Sequence, residues 1–241
     1  MLKRLYHPFP LQHDRVIQLD ANEQHYAVTV LRLKPDAEVM VFNAIGARAY
    51  GRIKTIKPHL TCHLHTVTHQ TPKPPYIHLI QGVAKPEKMA WITEKATETG
   101  AASIQFVAMQ RSQSNYVKAA QNQDRWQRII LNACRQSKAS FLPTWGFHSN
   151  LSCAIKHYQQ RNIETVMLCP HAENVWQPTN TDEAAIVIGP EGGFSPEEQK
   201  LVLTHNLSYA KFNMPTLRTE TAAIAALSIF QHQYHWFNIS S

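Results

Sequence analysis

A proline-rich segment separates two parts of the chain that differ in hydrophobic periodicity. The segment TPKPP, residues 71–75, has three prolines in five positions and cannot continue a strand or the interior of a helix. Before it, residues 38–56 and 60–69 alternate apolar and polar positions, as half-buried strands do. We therefore predict a small β-rich domain at residues 1–70, a linker at 71–75 and an α/β domain at 76–241.

Strand-like and helix-like segments alternate after the linker. YIHLIQGVA (76–84) predicts a strand, PEKMAWITEKATET (86–99) a helix that ends at Gly100, and SIQFVAM (103–109) a second strand. A strand–helix–strand unit of this length implies a parallel sheet. The final helix is apolar almost all round and is expected to be buried or to lie in an interface. Further helices are predicted at 23–31, 124–137, 152–160 and about 221–236, and further strands at 163–169, 184–188 and 210–214.

Composition limits the classes of partner and compartment. The net charge of +7 and the pI of about 9.3 suit a polyanionic partner such as nucleic acid. The four cysteines are scattered without a CxxC pair, and His63 and His65 lack a third ligand, so no metal site or disulfide framework is predicted. No secretory signal and no apolar run of about 20 residues is present, so we expect a cytoplasmic protein that does not span a membrane.

A glycine-rich turn, IGPEGGFSPEE at 188–198, follows an apolar run directly. Its end predicts a helix start, with Ser195 as N-cap, Pro196 at the first helical position and Glu198 as the capping-box partner. The three glycines at 189, 192 and 193 could let backbone approach a small ligand at the carboxyl end of a strand. They could equally form only a tight turn. The spacing is neither a Walker loop nor GxGxxG, which disfavours phosphate cradling and NAD.

The stretch LRTETAAIAAL, 217–227, places Arg218 and Glu220 at the mouth of an apolar helix. Glu220 could simply be a carboxylate near a helix N-terminus, which is favourable by about 0.3–1 kcal/mol, or the two residues could belong to a site. Gln81 and Lys85 end the first strand of the sheet and are expected at the same edge. The side chains of Lys88 and Lys95 are expected to be solvated helix charges.

Taken together, these stretches resemble one family closely. QGVAKPEKMAWITEKATETG (81–100), IGPEGGFSPEE and LRTETA (217–222) are similar to the ribosomal RNA small-subunit methyltransferase E family of SPOUT methyltransferases, and so is YAVTVLRLKPDAEVMVFN (26–43). The resemblance covers essentially the whole chain. It implies a PUA-like β-barrel followed by a SPOUT α/β methyltransferase domain with a C-terminal trefoil knot, and a homodimer formed through the knot. It also implies methyl transfer from S-adenosylmethionine to N3 of a uridine in 16S rRNA of the small ribosomal subunit.

The resemblance further implies a site. Glu220 would take the N3 proton, and Arg218 would stabilise negative charge on the uracil oxygens. The cofactor would bend against three loops, at Met167, Leu168, Ile188, Gly189, Pro190, Glu191, Gly192, Gly193, Phe212, Asn213, Met214, Leu217, Arg218, Thr219, Thr221 and Ala222. RNA would meet a set of cations that makes binding salt-dependent, although each could singly be a solvated surface charge: Arg4, Arg15, Arg32, Arg52, Lys85 and Arg111.

Some positions depart from the family pattern. Arg135 stands where a glutamate is usual, Phe212 and Asn213 replace a leucine–glycine pair, and Gln113 and Ser114 replace valines. Two alternatives remain open. One is a SPOUT enzyme that acts on ribose 2′-OH or on tRNA, and the other is a non-catalytic RNA-binding protein of ribosome assembly.

Overall fold

The chain divides into two compact units in this computed structural model, which describes residues 2–113 and 116–239, without the side chains of 235–239. One unit runs to Pro72 and includes Cys134–Leu142, and the other comprises Lys73–Ala133 and the chain from Pro143 on. No sequence signal predicts that Cys134–Leu142 groups with the first unit. The domain limits proposed from the sequence stay a prediction, and Ser114 lies outside the described residues.

The first unit is built on a five-stranded mixed sheet. Its strand order is β1-β3-β4-β5-β2, with β1 parallel to β3 and the other pairs antiparallel. The alternation seen in the sequence buries one face of β3, β4 and β5 in a core that includes Val39, Ile53 and Leu64. A short helix continues as a π-helical turn at Tyr26–Val30, where one helix was predicted. The elements are β1 (Lys3–Tyr6), β2 (Val16–Gln18), α1 (Ala21–His25), β3 (Glu38–Phe42), β4 (Ala47–Thr55) and β5 (Thr61–His69).

Arg4, expected to contact RNA, is buried in the first unit. Its side chain donates from Nη1 to the Cys134 carbonyl at 3.1 Å and from Nη2 to the Ala139 carbonyl at 2.8 Å. Its guanidinium also lies 4.4 Å from the ring centroid of Phe42. This corrects the expectation for Arg4, because a guanidinium committed to two carbonyls and 9% exposed is not offered to phosphates.

Arg135, one of the departures from the family pattern, pairs with a buried carboxylate. It forms an ion pair with Glu23 and lies over the ring of Tyr26, 4.4 Å from its centroid. Glu23 also accepts a hydrogen bond from the Tyr6 backbone N–H at 2.9 Å. Burial raises the pKa of Glu23, and the Arg135 charge opposes that rise. The arginine therefore compensates a carboxylate that would otherwise be costly to bury.

The second unit is built on a six-stranded parallel sheet, as the strand–helix–strand pattern predicts. Its strand order is β11-β9-β10-β6-β7-β8. Strand β8 and helix α3 were not predicted, and the strand expected at 210–214 was wrong in position because β11 ends at Ala210. The elements are β6 (Tyr76–Gly82), α2 (Pro86–Glu98), β7 (Ser103–Val107), α3 (Tyr116–Gln121), α4 (Gln123–Ser137), β8 (Thr144–His148), α5 (Leu151–Gln159), β9 (Glu164–Leu168), β10 (Glu183–Ile188), α6 (Pro196–Thr204), β11 (Ser208–Ala210) and α7 (Thr219–Ile239).

Apolar side chains cover both faces of this sheet, which is characteristic of parallel sheets. The final helix α7 packs against α2, β6 and β10 and buries Leu227 and Phe230, as its apolar composition predicts. The expected fold class is thereby confirmed, while the knotted threading is what the family resemblance implies. Within the described residues, no helix is long and apolar enough to cross a membrane, and no cluster of three potential metal ligands occurs.

A buried polar network lies at the amino ends of the strands. His78 Nδ1 is 2.7 Å from Ser103 Oγ, His78 Nε2 is 2.8 Å from Glu183 Oε1, and Ser103 Oγ is 2.8 Å from the Tyr158 hydroxyl. The spacing resembles a serine–histidine–carboxylate triad, but Ser103 is 2% exposed and its hydroxyl already contacts Tyr158. Burial lowers the pKa of His78 and favours the neutral ring, in which every one of these hydrogen bonds can be made. The network therefore stabilises the fold.

We expect Ser103→Ala to lower the free energy of unfolding by about 1–3 kcal/mol, because two buried polar groups would lose their shared partner. Ser149→Ala is the matched control, since Ser149 lies exposed before α5 and surface substitutions change stability by only about 0.5 kcal/mol. Urea unfolding of both variants measures the difference. Equal stability of the two variants would contradict the assignment.

Candidate active site

A cleft of about 420 Å³ opens in the second unit at the carboxyl ends of β9 and β10. This is the edge at which parallel α/β sheets bind small molecules. Leu168 and Ile188, the last residues of the two strands, form part of its floor. The remaining wall comes from the loop after β9, the glycine loop, the segment from Lys211 to Ala222 and single residues of other elements: Lys88, Arg111, Cys169, Pro170, His171, Gly189, Pro190, Glu191, Gly192, Gly193, Phe194, Gln199, Lys211, Phe212, Met214, Pro215, Thr216, Leu217, Arg218, Thr219 and Ala222.

Most residues expected to bind the cofactor lie together in this wall. Met167, Asn213 and Thr221 do not line the cleft. Met167 is fully buried in the core on the opposite face of the sheet from Leu168, because successive side chains of a strand point to opposite faces. That alternation was available in the sequence and could have excluded Met167.

The glycine loop shows why two of its glycines are required. Gly193 has a φ of +70°, and a Cβ added there would meet no atom within 4 Å, so its backbone borders open space. A Cβ on Gly192 would lie 2.8 Å from the Cβ of Arg111, whose Nη1 donates to the Gly192 carbonyl at 3.2 Å. The Gly193 N–H closes the turn on the Pro190 carbonyl at 2.9 Å. The loop is thus both a tight turn and an uncovered strip of backbone facing the cleft.

The predicted helix start after the loop is confirmed. Ser195 Oγ accepts from the Glu198 N–H at 3.1 Å, and Glu198 Oε2 accepts from the Ser195 N–H at 2.8 Å. The other oxygen of Glu198 accepts from the Gln110 N–H at 2.9 Å. The capping box therefore also fixes the loop after β7, which carries Arg111 to the cleft.

Gln81 ties the start of α7 to the glycine loop. Its side chain is fully buried, and Nε2 lies 2.8 Å from Thr219 Oγ1 and 3.3 Å from the Gly189 carbonyl. Thr219 Oγ1 in turn donates to the same Gly189 carbonyl. The carboxyl end of β6 is thus at the site, as its position in the sequence predicts. Lys85 has an exposed side chain there, and its backbone N–H donates to Glu191 Oε1 at 3.2 Å.

Arg218 and Glu220 occupy different positions relative to the cleft. Arg218 is exposed and lines the cleft, whereas Glu220 does not line it and has its Oε2 3.1 Å from Lys88 Nζ. Burial by itself would raise the pKa of Glu220, but its own backbone N–H, the Lys88 ammonium and the Arg218 charge together hold that pKa below its usual value. Lys88 is therefore not the solvated helix charge that was expected. Lys95 pairs with carboxylates of its own helix, at 2.7 and 3.0 Å.

Several wall residues were missed by the sequence analysis. Cys169, Pro170 and His171 follow β9 directly; the resemblance implies that the cofactor meets the loop after Leu168, but these three residues of it were not named. Gln199 and Lys211 carry no local signal, because they reach the cleft only through the path of the folded chain.

The other cations proposed to contact RNA are exposed to solvent. Arg15 and Arg32 are exposed in the first unit, and Arg52 is exposed with its Nη2 3.3 Å from Glu38 Oε1. Arg111 is exposed at the rim of the cleft in the second unit.

Known proteins share this sequence pattern and fold. A protein of Buchnera aphidicola named ribosomal RNA small subunit methyltransferase E is 27% identical over 97% of this chain and 97% of its own. A Legionella pneumophila protein described as a methyltransferase, solved in complex with the cofactor SAM, is 27% identical, covers 97% of this chain and 98% of its own, and has a TM-score of 0.86. A ribosomal RNA small subunit methyltransferase E of Neisseria gonorrhoeae, solved with S-adenosyl methionine, shares the fold with a TM-score of 0.87 at 23% identity, covering 97% of this chain and 98% of its own.

Sequence models of two domains also match. That of an RNA methyltransferase PUA domain matches residues 19–63, and that of an RNA methyltransferase domain matches residues 71–231. Because the second match alone spans more than half of the chain, this protein belongs to the RNA methyltransferase family.

Proposed function

We propose that this protein transfers a methyl group from S-adenosylmethionine to N3 of a uridine in the 16S rRNA of the small ribosomal subunit. The observation that carries the proposal is the cleft, in which uncovered backbone of the glycine loop faces the segment 211–222 at the carboxyl ends of two parallel strands. The names and bound cofactor of the related proteins support it.

The cleft suits an adenosyl ligand. Backbone at Gly189–Gly193 and at Leu217–Thr219 lines the cleft and can offer N–H and carbonyl groups to a base, and apolar Leu168 and Ile188 offer surface to its faces. A methyl sulfonium carries positive charge and needs no phosphate cradle, in agreement with the loop's lack of phosphate-binding spacing. When bound, the cofactor supplies an electrophilic methyl group.

N3 of neutral uracil is protonated and is a poor nucleophile, so the N3 proton has to leave for methyl transfer. Arg218 lines the cleft, where its guanidinium can stabilise negative charge on the uracil oxygens as the N3 proton leaves. Glu220 lies two positions after this arginine in the sequence, and the charges of Lys88 and Arg218 favour its ionised form. We propose that Glu220 accepts the proton and that Arg218 stabilises the anion.

The remaining partners belong to the same proposal. RNA phosphates would meet the exposed cations Arg15, Arg32, Arg52, Lys85 and Arg111. A second copy of this chain would pack on the region around α7, because several apolar residues of this helix are only partly buried within one copy.

We expect purified protein, incubated with S-adenosylmethionine and unmethylated small subunits, to form 3-methyluridine in their rRNA. Nucleoside mass spectrometry measures the product. A 2′-O-methylated nucleoside, or methyl transfer to tRNA instead, would replace this proposal with a different methyltransferase activity. Binding of RNA without any methylated product would favour a non-catalytic role in ribosome assembly.

Gly193→Ala is expected to weaken the binding of S-adenosylhomocysteine about tenfold or more, because the new Cβ projects into the cleft. The substitution also strains a positive-φ backbone by about 1–2 kcal/mol. Gly100→Ala is the matched control, since Gly100 also has a positive φ, of +79°, but ends α2 away from the cleft. Calorimetry should show lost affinity for the first variant only. Equal affinities would place the ligand elsewhere.

Glu220→Gln and Arg218→Ala are each expected to lower kcat by about 10²-fold or more, since general bases and anion-stabilising groups contribute on that scale. Glu197→Gln is the control, because Glu197 is an exposed glutamate in the first turn of α6. Methyl transfer to small subunits at saturating cofactor measures the rates. Near-normal rates for both variants would reject the assigned roles.

A further inference from the structure

Three charged side chains from three separate elements meet at one side of the cleft, where Lys88 and Glu191 form part of the wall. Lys88 comes from the first turn of α2, Glu191 from the glycine loop and Glu220 from the first turn of α7. Lys88 Nζ lies 3.1 Å from Glu220 Oε2 and 3.6 Å from Glu191 Oε1. The exposed fractions of these side chains are only 24%, 18% and 14% for lysine, Glu220 and Glu191, so solvent screens the charges weakly.

The position of Lys88 is not explained by helix stability. A cation in the first turn of a helix lies near the positive end of the helix dipole, where anions are favoured. Two half-enclosed carboxylates near one another also repel unless a cation lies between them. The lysine and the two carboxylates compensate one another, which indicates that the three residues act as one unit.

The carboxylates depend on this lysine. One oxygen each of Glu191 and Glu220 is buried without a hydrogen-bond partner among the described residues. The Glu220 oxygen is the one nearest to Lys88, so that contact is an ion pair without hydrogen-bond alignment. Glu191 accepts one hydrogen bond besides, from the Lys85 N–H. Removal of the ammonium would leave Glu191 with the Lys85 N–H, and Glu220 with its own N–H and the Arg218 charge, as the remaining compensation for two like charges.

We propose that Lys88 is a positioning residue that joins the glycine loop to the start of α7, through Glu191 on one side and Glu220 on the other. The two walls of the cleft are thereby held at one spacing, so the loop that meets the cofactor is set relative to Arg218 and Glu220. The link between the walls follows from the contacts alone. Its consequence for catalysis rests on the proposed methyl transfer.

The charged groups that face Glu220 predict how its titration responds. They are Lys88 from α2, Glu191 from the glycine loop and Arg218 from the segment before α7. Burial raises the pKa of Glu220, but its own N–H, Lys88 and Arg218 together hold that pKa below the usual value. Loss of Lys88 removes the strongest side-chain contribution and leaves Glu191 as a like charge, so the pKa of Glu220 must rise.

The test compares Lys88→Met, which keeps the side-chain length and loses the charge, with Lys88→Arg, which keeps the charge. Lys95→Met is the matched control, because Lys95 lies on the same helix and pairs with Glu94 and Glu98 away from the cleft. Each protein is measured for binding of S-adenosylhomocysteine by calorimetry between pH 3 and pH 9, and for kcat and KM of methyl transfer over the same range.

We expect Lys88→Met to weaken S-adenosylhomocysteine binding about tenfold at neutral pH and to move the acid limb of the kcat profile upward by about one pH unit. Lys88→Arg should keep most of the binding affinity and most of the original pH profile, and Lys95→Met should match the unaltered protein. Unchanged binding and an unchanged pH profile in Lys88→Met would overturn the proposal, as would a loss that is the same at every pH and is not rescued by arginine.

Glu191→Gln gives an independent measurement that also serves if Lys88→Met fails to fold. It removes one of the two like charges, so the acid limb of the kcat profile should move downward, and an upward shift or no shift would contradict the proposal. Failure of the proposed function can be distinguished from failure of this inference. If the proposed function is wrong, the unaltered protein does not transfer the methyl group, but the calorimetric comparison of Lys88→Met with Lys88→Arg still decides the positioning role.

Discussion

The parallel register of β10 with its neighbours is the constraint on which the site depends. Ile188, the last residue of β10, lies beside Leu168 of β9 and Gln81 of β6, so three strands end at one level. Side chains and loops that are far apart in sequence therefore meet at a single edge. The buried amide of Gln81 then joins Thr219, at the beginning of α7, to the carbonyl of Gly189. Gly189 lies 108 residues from Gln81 along the chain.

Buried charge is used in both units to hold segments in place. Arg4 and Arg135 serve the first unit, where they bind carbonyls of Cys134–Leu142 and the carboxylate of Glu23. Lys88 serves the second unit by pairing with carboxylates of two other elements. A net positive charge thus overstates the cations available to RNA, since some of them neutralise charge or bind carbonyls inside the fold.

Polar groups at the two ends of the parallel sheet have different roles. At the amino ends, His78 and Ser103 are buried and bind each other, and His78 also binds the partly exposed Glu183. At the carboxyl ends, the backbone around Gly193 is uncovered, and one buried oxygen each of Glu191 and Glu220 lacks a hydrogen-bond partner within the described part of the chain. Satisfied groups stabilise a fold, whereas incompletely satisfied groups beside a cleft can bind a ligand.

Local sequence was sufficient for features that depend on neighbouring residues. Apolar periodicity located most helices and strands, the Ser195–Glu198 capping box was read correctly, and the glycine turn placed the edge of the sheet where the cleft lies. Motif resemblance supplied the family. The departure at Arg135 could not be interpreted from the sequence, because its partner Glu23 lies 112 positions away.

Only the tertiary structure decided which charges face solvent and which face one another. The patterns around Arg4 and Lys88 are those of ordinary surface cations, yet both side chains are held by groups brought in from other elements. Periodicity and capping are set by contacts within a few residues and can be read from the chain. Burial and ion pairing are set by contacts between distant segments, so they exist only once the parallel sheet has brought those segments together.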